Sequence, residues 1–174
     1  MIKNSMYFAK REIYDLIRSL GGQWNDSKER PIVCIFESNE HKGLYYAVPV
    51  GNYEHRDNKA KERIQRYLDL PENRIESCFY HVGNTTVKSI FFLSDVIPII
   101  DKYIDREYKN YYSNKIHEIK NKKLIAELER KLKRILAWEK GKPNYFRQHI
   151  TDAKNELIKE LDKRWLMILS NIKY

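Results

Sequence analysis

Apolar positions recur in two rhythms along the chain. Up to about residue 100 they form short alternating runs broken by turn residues. Beyond it they return every three or four positions. SMYFA (5–9) reads as a short strand, and KREIYDLIRSL (10–20) places Ile13, Leu16, Ile17 and Leu20 on one helical face before Gly21-Gly22. PIVCIFE (31–37) and LYYAVPV (44–50) read as a strand pair joined by SNEHKG, with Pro49 marking a strand end or edge. KAKERIQRYLDL (59–70) reads as a helix capped by Asp57 or Asn58 and stopped by Pro71. IESCFY (75–80) and VKSIFFL (87–93) read as two further strands, with the Gly-Asn of HVGNTT as their turn. SDVIPII (94–100) fits either a short helix or a strand.

From about residue 101 the character changes. Residues 102–139 hold no Pro or Gly, and Leu124, Leu128, Leu132 and Ile135 mark an amphipathic helix. Gly141-Lys142-Pro143 breaks it, and 144–170 reads as a second helix with Ile150, Leu157, Leu161, Trp165 and Ile168 on one side. The expected fold is α+β: a small twisted antiparallel sheet or partly open barrel with a long C-terminal helical hairpin. Residues 1–174 are read as a single domain, with 1–100 as the sheet core and 101–174 as a basic helical part packed on it.

Charge changes this picture because of where it lies. The net charge is +9, and residues 101–174 carry 19 Lys and Arg against 11 Asp and Glu, while residues 1–100 are nearly balanced. A basic excess confined to one part of a chain points to a polyanion, and nucleic acid is favoured over a membrane surface because no strong apolar face with aromatic anchors lies beside the basic stretch. No apolar run reaches the length of about 18–20 residues that a membrane span needs, so no membrane partner is expected. The first residues lack the apolar core of a signal peptide, and a cytoplasmic protein is expected. Cys34 and Cys78 sit in apolar runs and read as reduced core thiols.

The densest chemistry is VPVGNYEHRD (48–57). A phosphate-handling loop uses every polar group in it. An arginine grips two phosphate oxygens, an imidazole moves a proton near neutral pH, an amide orients an oxygen, and a glycine lets the backbone come close. Each residue also has a plain structural reading: a Gly51-Asn52 turn, a loop histidine, a surface arginine. No phosphate-binding glycine loop, paired-histidine zinc motif, acidic metal cluster or nucleophilic-serine motif is present, so neither metal nor cofactor is expected. What remains is metal-independent RNA cleavage through the ribose 2′-hydroxyl. Tyr103, Tyr108, Tyr111 and Tyr112 read as helix packing or as base-stacking platforms.

RPIVCIF…YYAVPVGNYEHRD, then IESCFYHVGNTTVKSIFFLSDVIPII, then the Lys-rich segments resemble the endoribonuclease toxins of type III toxin–antitoxin systems. These are the ToxN/AbiQ-like proteins, and the CptN/TenpN branch looks nearest. The resemblance implies a Kid/MazF-like core and cleavage to a 2′,3′-cyclic phosphate and a 5′-hydroxyl. It implies inhibition by an RNA pseudoknot that the toxin processes itself, and a closed protein–RNA ring with two or three copies of each. In the ToxN branch a Thr-Ser-x-Lys segment follows the Pro-containing strand. Here Gly51-Asn52 stands at Thr-Ser, His55-Arg56 stands near the Lys, and Arg30 replaces an earlier Lys. The expected catalytic residues are His55 as acid or base, Arg56 and Arg30 on the scissile phosphate, and Asn52 as its orienter. The expected RNA contacts are Gly51, Tyr53, Lys59, Lys88, Ser89, Lys120, Lys122 and Lys123.

Overall fold

A computed structural model describes residues 1–25 and 28–171, and these residues form seven strands and four α-helices. In chain order they are β1 (Met6–Ala9), α1 (Arg11–Ser19), β2 (Ile32–Glu37), β3 (Tyr45–Asn52), α2 (Asn58–Leu68), β4 (Tyr80–Asn84), β5 (Lys88–Phe92), β6 (Ile97–Ile99), β7 (Ile104–Glu107), α3 (Lys122–Gly141) and α4 (Ile150–Asn171). The strands make one antiparallel sheet in the order β4-β5-β3-β2-β1-β7, and β6 also pairs with β3. The expected α+β class with an antiparallel sheet is the one observed, but the expected C-terminal helical hairpin is not formed, because α3 packs on one face of the sheet and α4 on the other.

β3 organises the sheet. One edge pairs with β2 from Tyr45 to Pro49. The other is shared by β6, at Tyr45–Ala47, and β5, at Val50–Asn52. Alternation along β3 divides the core. Val48 and Val50 join Val33, Phe91 and the α3 residues Leu124, Leu128, Leu132 and Ile135 on one face. Ala47 joins Ile32, Cys34, Ile97, α1 and the α4 residues Ala153, Leu157 and Leu161 on the other. Ile13, Ile17, Leu128, Leu132 and Ile135 are fully buried. Removing each such aliphatic side chain from water stabilises the fold by about 1.5–3 kcal/mol, and this sets both helices against the sheet. Cys34 and Cys78 are free and buried, as their apolar runs suggest.

Several boundaries differ from the sequence reading. The strand expected at 75–80 is a 3-10 turn at Ile75–Cys78, and β4 begins only at Tyr80. Gly83 and Asn84 pair with Ser89 and Lys88 inside the ladder, so the turn falls at 85–87 rather than at Gly-Asn. Gly83 serves packing instead, because a Cβ there would lie 2.6 Å from the Leu124 side chain. The helix expected over 102–139 exists only from Lys122. Ile104–Glu107 pair with β1, and 108–117 fold back on themselves through a bridge at Lys109–Ile116 and a left-handed Asn114. Asn121 caps the true helix start, its Oδ1 accepting from Lys123 N at 3.1 Å and Leu124 N at 3.2 Å. Trp165 and Ile168, expected on the buried side of the last helix, are exposed, because α4 runs past the core after Leu161.

The connection 142–149 is held by a buried carboxylate. Glu139 is 3% exposed. It accepts from the backbone N–H of Asn144 at 2.7 Å, of Tyr145 at 3.2 Å and of Thr151 at 3.1 Å, and from the Thr151 hydroxyl at 2.6 Å. Asn144 and His149 are left-handed, so the chain cannot continue helically from 144 as expected. The Gln148 amide donates to Ser94 O at 2.9 Å and Val96 O at 2.7 Å, which ties the connection to the strip between β5 and β6.

Glu139→Ala strands these donors and is expected to cost about 3 kcal/mol in urea unfolding, with Glu139→Gln costing less because it retains one acceptor. His81 gives a second expectation. Burial, reinforced by the Lys131 charge, pushes its imidazole down from the ordinary 6.5 to about 4. A folded-state value below the unfolded one means that the unfolded chain binds the proton first. Stability contributed by the neutral ring is therefore whole above pH 6.5 and is lost as pH falls towards 4. Urea midpoints at pH 7, 5 and 4 are expected to show this loss, and His81→Gln to flatten it.

Candidate nucleic-acid interface

β3 does not stop at Gly51. It continues through Asn52, whose register partner is Ser89. The chain then turns, with Tyr53 N–H donating to Lys88 O at 2.9 Å and Arg56 N–H to Tyr53 O at 3.1 Å. Asn52 Oδ1 accepts from Glu54 N–H at 2.9 Å and shapes this turn. Asp57 caps α2, accepting from Ala60 N at 2.7 Å, so the segment is fixed at both ends.

Two guanidiniums converge on one aromatic ring here. The Arg56 Cζ lies 5.2 Å from the centroid of Phe92, and the Arg30 Cζ lies 5.0 Å from the same centroid. Among the described residues neither arginine has a carboxylate partner. The Arg56 Nε is buried and has no hydrogen-bond partner among the described residues. Burial, then the charges of Arg30 and Arg63, lower the Arg56 guanidinium below its ordinary value. Like charges held together without a counter-ion form a site that an anion stabilises.

Gly51 is what admits Arg56. A Cβ at 51 would lie 2.5 Å from Arg56 Nη2 and 3.3 Å from Phe92. The glycine therefore seats a side chain of this chain, beyond the phosphate approach its type suggests.

The remaining candidates divide around this pair. Alternation along β3 turns Gly51 to the Phe92 face and Asn52 to the Val50 face. Exposed His55 sits with Asn52, its Nε2 at 3.5 Å from Asn52 Nδ2. The amide–imidazole pair thus reaches the strand end from the side opposite the guanidiniums. Tyr53 lies beneath two ammonium groups, Lys88 at 4.7 Å and Lys61 at 5.4 Å from its ring centroid. Glu54 holds both lysines, at 3.9 Å and 3.4 Å. Ser89 is buried, and its hydroxyl is engaged with Thr85 at 2.9 Å and donates to Val87 O at 3.2 Å, turned into the hairpin. Lys59 is exposed on the first turn of α2.

Lys120, Lys122 and Lys123 are exposed around the α3 cap. They are linked to the site by one cross-strand row. Asn52 pairs with Ser89, Ser89 with Gly83, and Gly83 touches Leu124 in the first turn of α3. Two strand spacings put Gly83 about 10 Å from Asn52. The described residues form no group of three His, Cys, Asp or Glu able to hold a metal ion, and none of their helices is long and apolar enough to cross a membrane.

Phe92 is absent from the sequence-based candidates. Its signal is the Phe91-Phe92 pair, since alternation buries one ring on the α3 face and turns the other to the arginines. Arg63 carries no such mark, being one of three basic residues within KERIQR.

The sheet and its helices match a known architecture. Aligned over 95% of this chain and 98% of the other, the fold is similar to the solved structure of AbiQ, with a TM-score of 0.55 and 12% sequence identity. AbiQ is described as a lactococcal anti-phage endoribonuclease belonging to the type III toxin–antitoxin system. No protein-family model and no curated protein sequence matches the chain.

Gly51→Ala is expected to leave the fold intact, because the group it displaces is the far end of a flexible side chain, and to weaken binding of a short oligoribonucleotide about tenfold. Arg56→Ala is expected to do the same, with the double variant no worse than either alone. Additive losses in a fluorescence-anisotropy titration would separate the two residues.

Proposed function

We propose that this chain is a metal-independent endoribonuclease, the toxin of a type III toxin–antitoxin system. The observation that carries this reading is the pair of guanidiniums on Phe92, without a carboxylate partner among the described residues and beside a strand end that presents an amide and an imidazole. The likeness in fold to an endoribonuclease of that system supports it.

In this reading the RNA crosses the end of β3. Arg30 and Arg56 hold the nonbridging oxygens of one phosphate and stabilise the charge that builds on the phosphorane. The 2′-hydroxyl attacks that phosphorus as its proton leaves. The P–O5′ bond breaks, and the departing oxygen takes a proton, leaving a 2′,3′-cyclic phosphate and a 5′-hydroxyl. His55 serves as the acid or the base, and Asn52, read from the sequence as the orienter of the phosphate, is instead assigned to that ring, 3.5 Å from its Nε2. The flanking backbone follows the cross-strand row towards Lys88 and the Lys120, Lys122 and Lys123 cluster. The partner that restrains this activity is an RNA pseudoknot, processed by the toxin and bound in a closed ring of two or three copies of each. The setting is the cytoplasm, and the role is defence against phage.

His55→Ala is expected to retain RNA binding within about threefold and to lose at least 100-fold in cleavage rate by a purified RNA-cutting assay. Full cleavage by that variant would remove His55 from the chemistry. Binding without any change in RNA length by the unaltered protein would favour a non-catalytic RNA-binding protein. The placement of Asn52 and His55 across the strand end from the guanidiniums is the observation that keeps this second reading in view.

A further inference from the structure

A cleft of about 770 Å³ opens next to the arginine pair, on the same face of the sheet. Its lining includes Ala9, Ile32 and Pro49, the last of these two residues before Gly51. Arg30 belongs to its wall and at the same time lies over Phe92, so the cleft and the anion site share one guanidinium. Along another wall, Tyr14 and Trp24 are stacked, with ring centroids 4.8 Å apart and planes 9° apart.

The charges around the cleft sort simply. Of its four acids, Asp95 is paired with Arg147 at 2.9 Å, while Glu29 and Asp105 are both held by Arg106. The fourth, Glu12, has no partner among the described residues. Lys28 and Arg30 likewise have no carboxylate partner among them. Among the described residues the cleft therefore offers a flat aromatic wall, one carboxylate without a partner at Glu12, and Lys28 and Arg30 without a carboxylate partner, while Lys10 donates to Lys102 O at 2.9 Å.

We propose that this cleft is a nucleobase subsite. It takes the base of the RNA nucleotide next to the phosphate held by Arg30 and Arg56, and this rests on the endoribonuclease reading above. An aromatic wall stacks any base through its π-face, which gives affinity without sequence choice. A carboxylate accepts from the exocyclic amine or ring N–H of a base edge, as acidic side chains do with cytosine, and rejects an edge that offers only acceptors. Glu12 is thereby the specificity-determining residue and Trp24 the platform. The volume lies within the range of about 300–1,000 Å³ that small-ligand sites occupy. A protein partner would leave the shared guanidinium unexplained, whereas a nucleotide spans base site and phosphate site with one covalent unit.

The test is cleavage of an oligoribonucleotide pool randomised around the cut, by the unaltered protein and by Trp24→Ala, Trp24→Phe and Glu12→Gln, each checked for an unchanged melting temperature. Trp24→Ala is expected to raise KM about tenfold, with Trp24→Phe restoring most of the loss. Glu12→Gln is expected to change base preference at one position flanking the cut and at no other. An unaltered protein that cleaves, with variants matching it in KM and preference, overturns the subsite alone. An unaltered protein that leaves every RNA intact overturns the endoribonuclease reading and the subsite with it. Should Trp24→Ala fail to fold, Trp24→Phe and Glu12→Gln decide the matter by the same readouts.

Discussion

The Arg56 guanidinium rests against the backbone of β3 because residue 51 has no side chain. From that single permission the arrangement of the site follows. Arg56 settles over Phe92, Arg30 arrives at the same ring from the segment that leads into β2, and both positive charges stay without a carboxylate partner among the described residues. Each cation–ring contact returns only about 0.5–2 kcal/mol, less than the desolvation of a guanidinium costs. The lowered Arg56 value is the signature of that imbalance. The phosphodiester of the proposed function would supply the missing counter-charge, and its paired oxygens suit guanidinium donors.

The scaffold holds this strand end in place from several directions. β2 fixes one edge of β3, and the β5 pairings from Val50 to Asn52 fix the other. Helices cover both faces, with α3 on one and α1 and α4 on the other. The Glu139 carboxylate lets α3 and α4 reach opposite faces by organising the backbone that passes between them. The arginines need this strand end to be rigid, since a mobile one would let two like charges drift apart.

Much of the fold is legible in the sequence because it depends on local pattern. The β2–β3 pair, α1, α2 and the Leu124–Ile135 stripe follow from apolar spacing and caps. The loop at 51–56 stands out because unlike chemical groups crowd into it. What sequence conceals depends on distant partners. Ile104–Glu107 is charged and unremarkable alone and becomes a strand only because β1 offers an open edge. Glu139 looks like one more solvated acid in a Lys-Glu helix, and only the folded connection shows its donors. Phe92 and Trp24 read as ordinary apolar residues until Arg30 is found over the one and lining a common cleft with the other. The division of Asn52 and Gly51 to opposite faces was available from alternation. The expectation that the strand ends at Val50 hid it, because the rule applies only while the chain remains extended.

The most direct test of the anion site is a crystal structure of the protein with an oligoribonucleotide whose 2′-hydroxyl at the cut is replaced by hydrogen, so that the attack proposed here cannot occur. The expected result is one phosphate whose nonbridging oxygens lie within hydrogen-bonding distance of both Arg30 and Arg56, with His55 turned to the adjoining ribose or leaving oxygen. RNA bound along the α3 lysines, with the space between the two guanidiniums holding no phosphate, would contradict it.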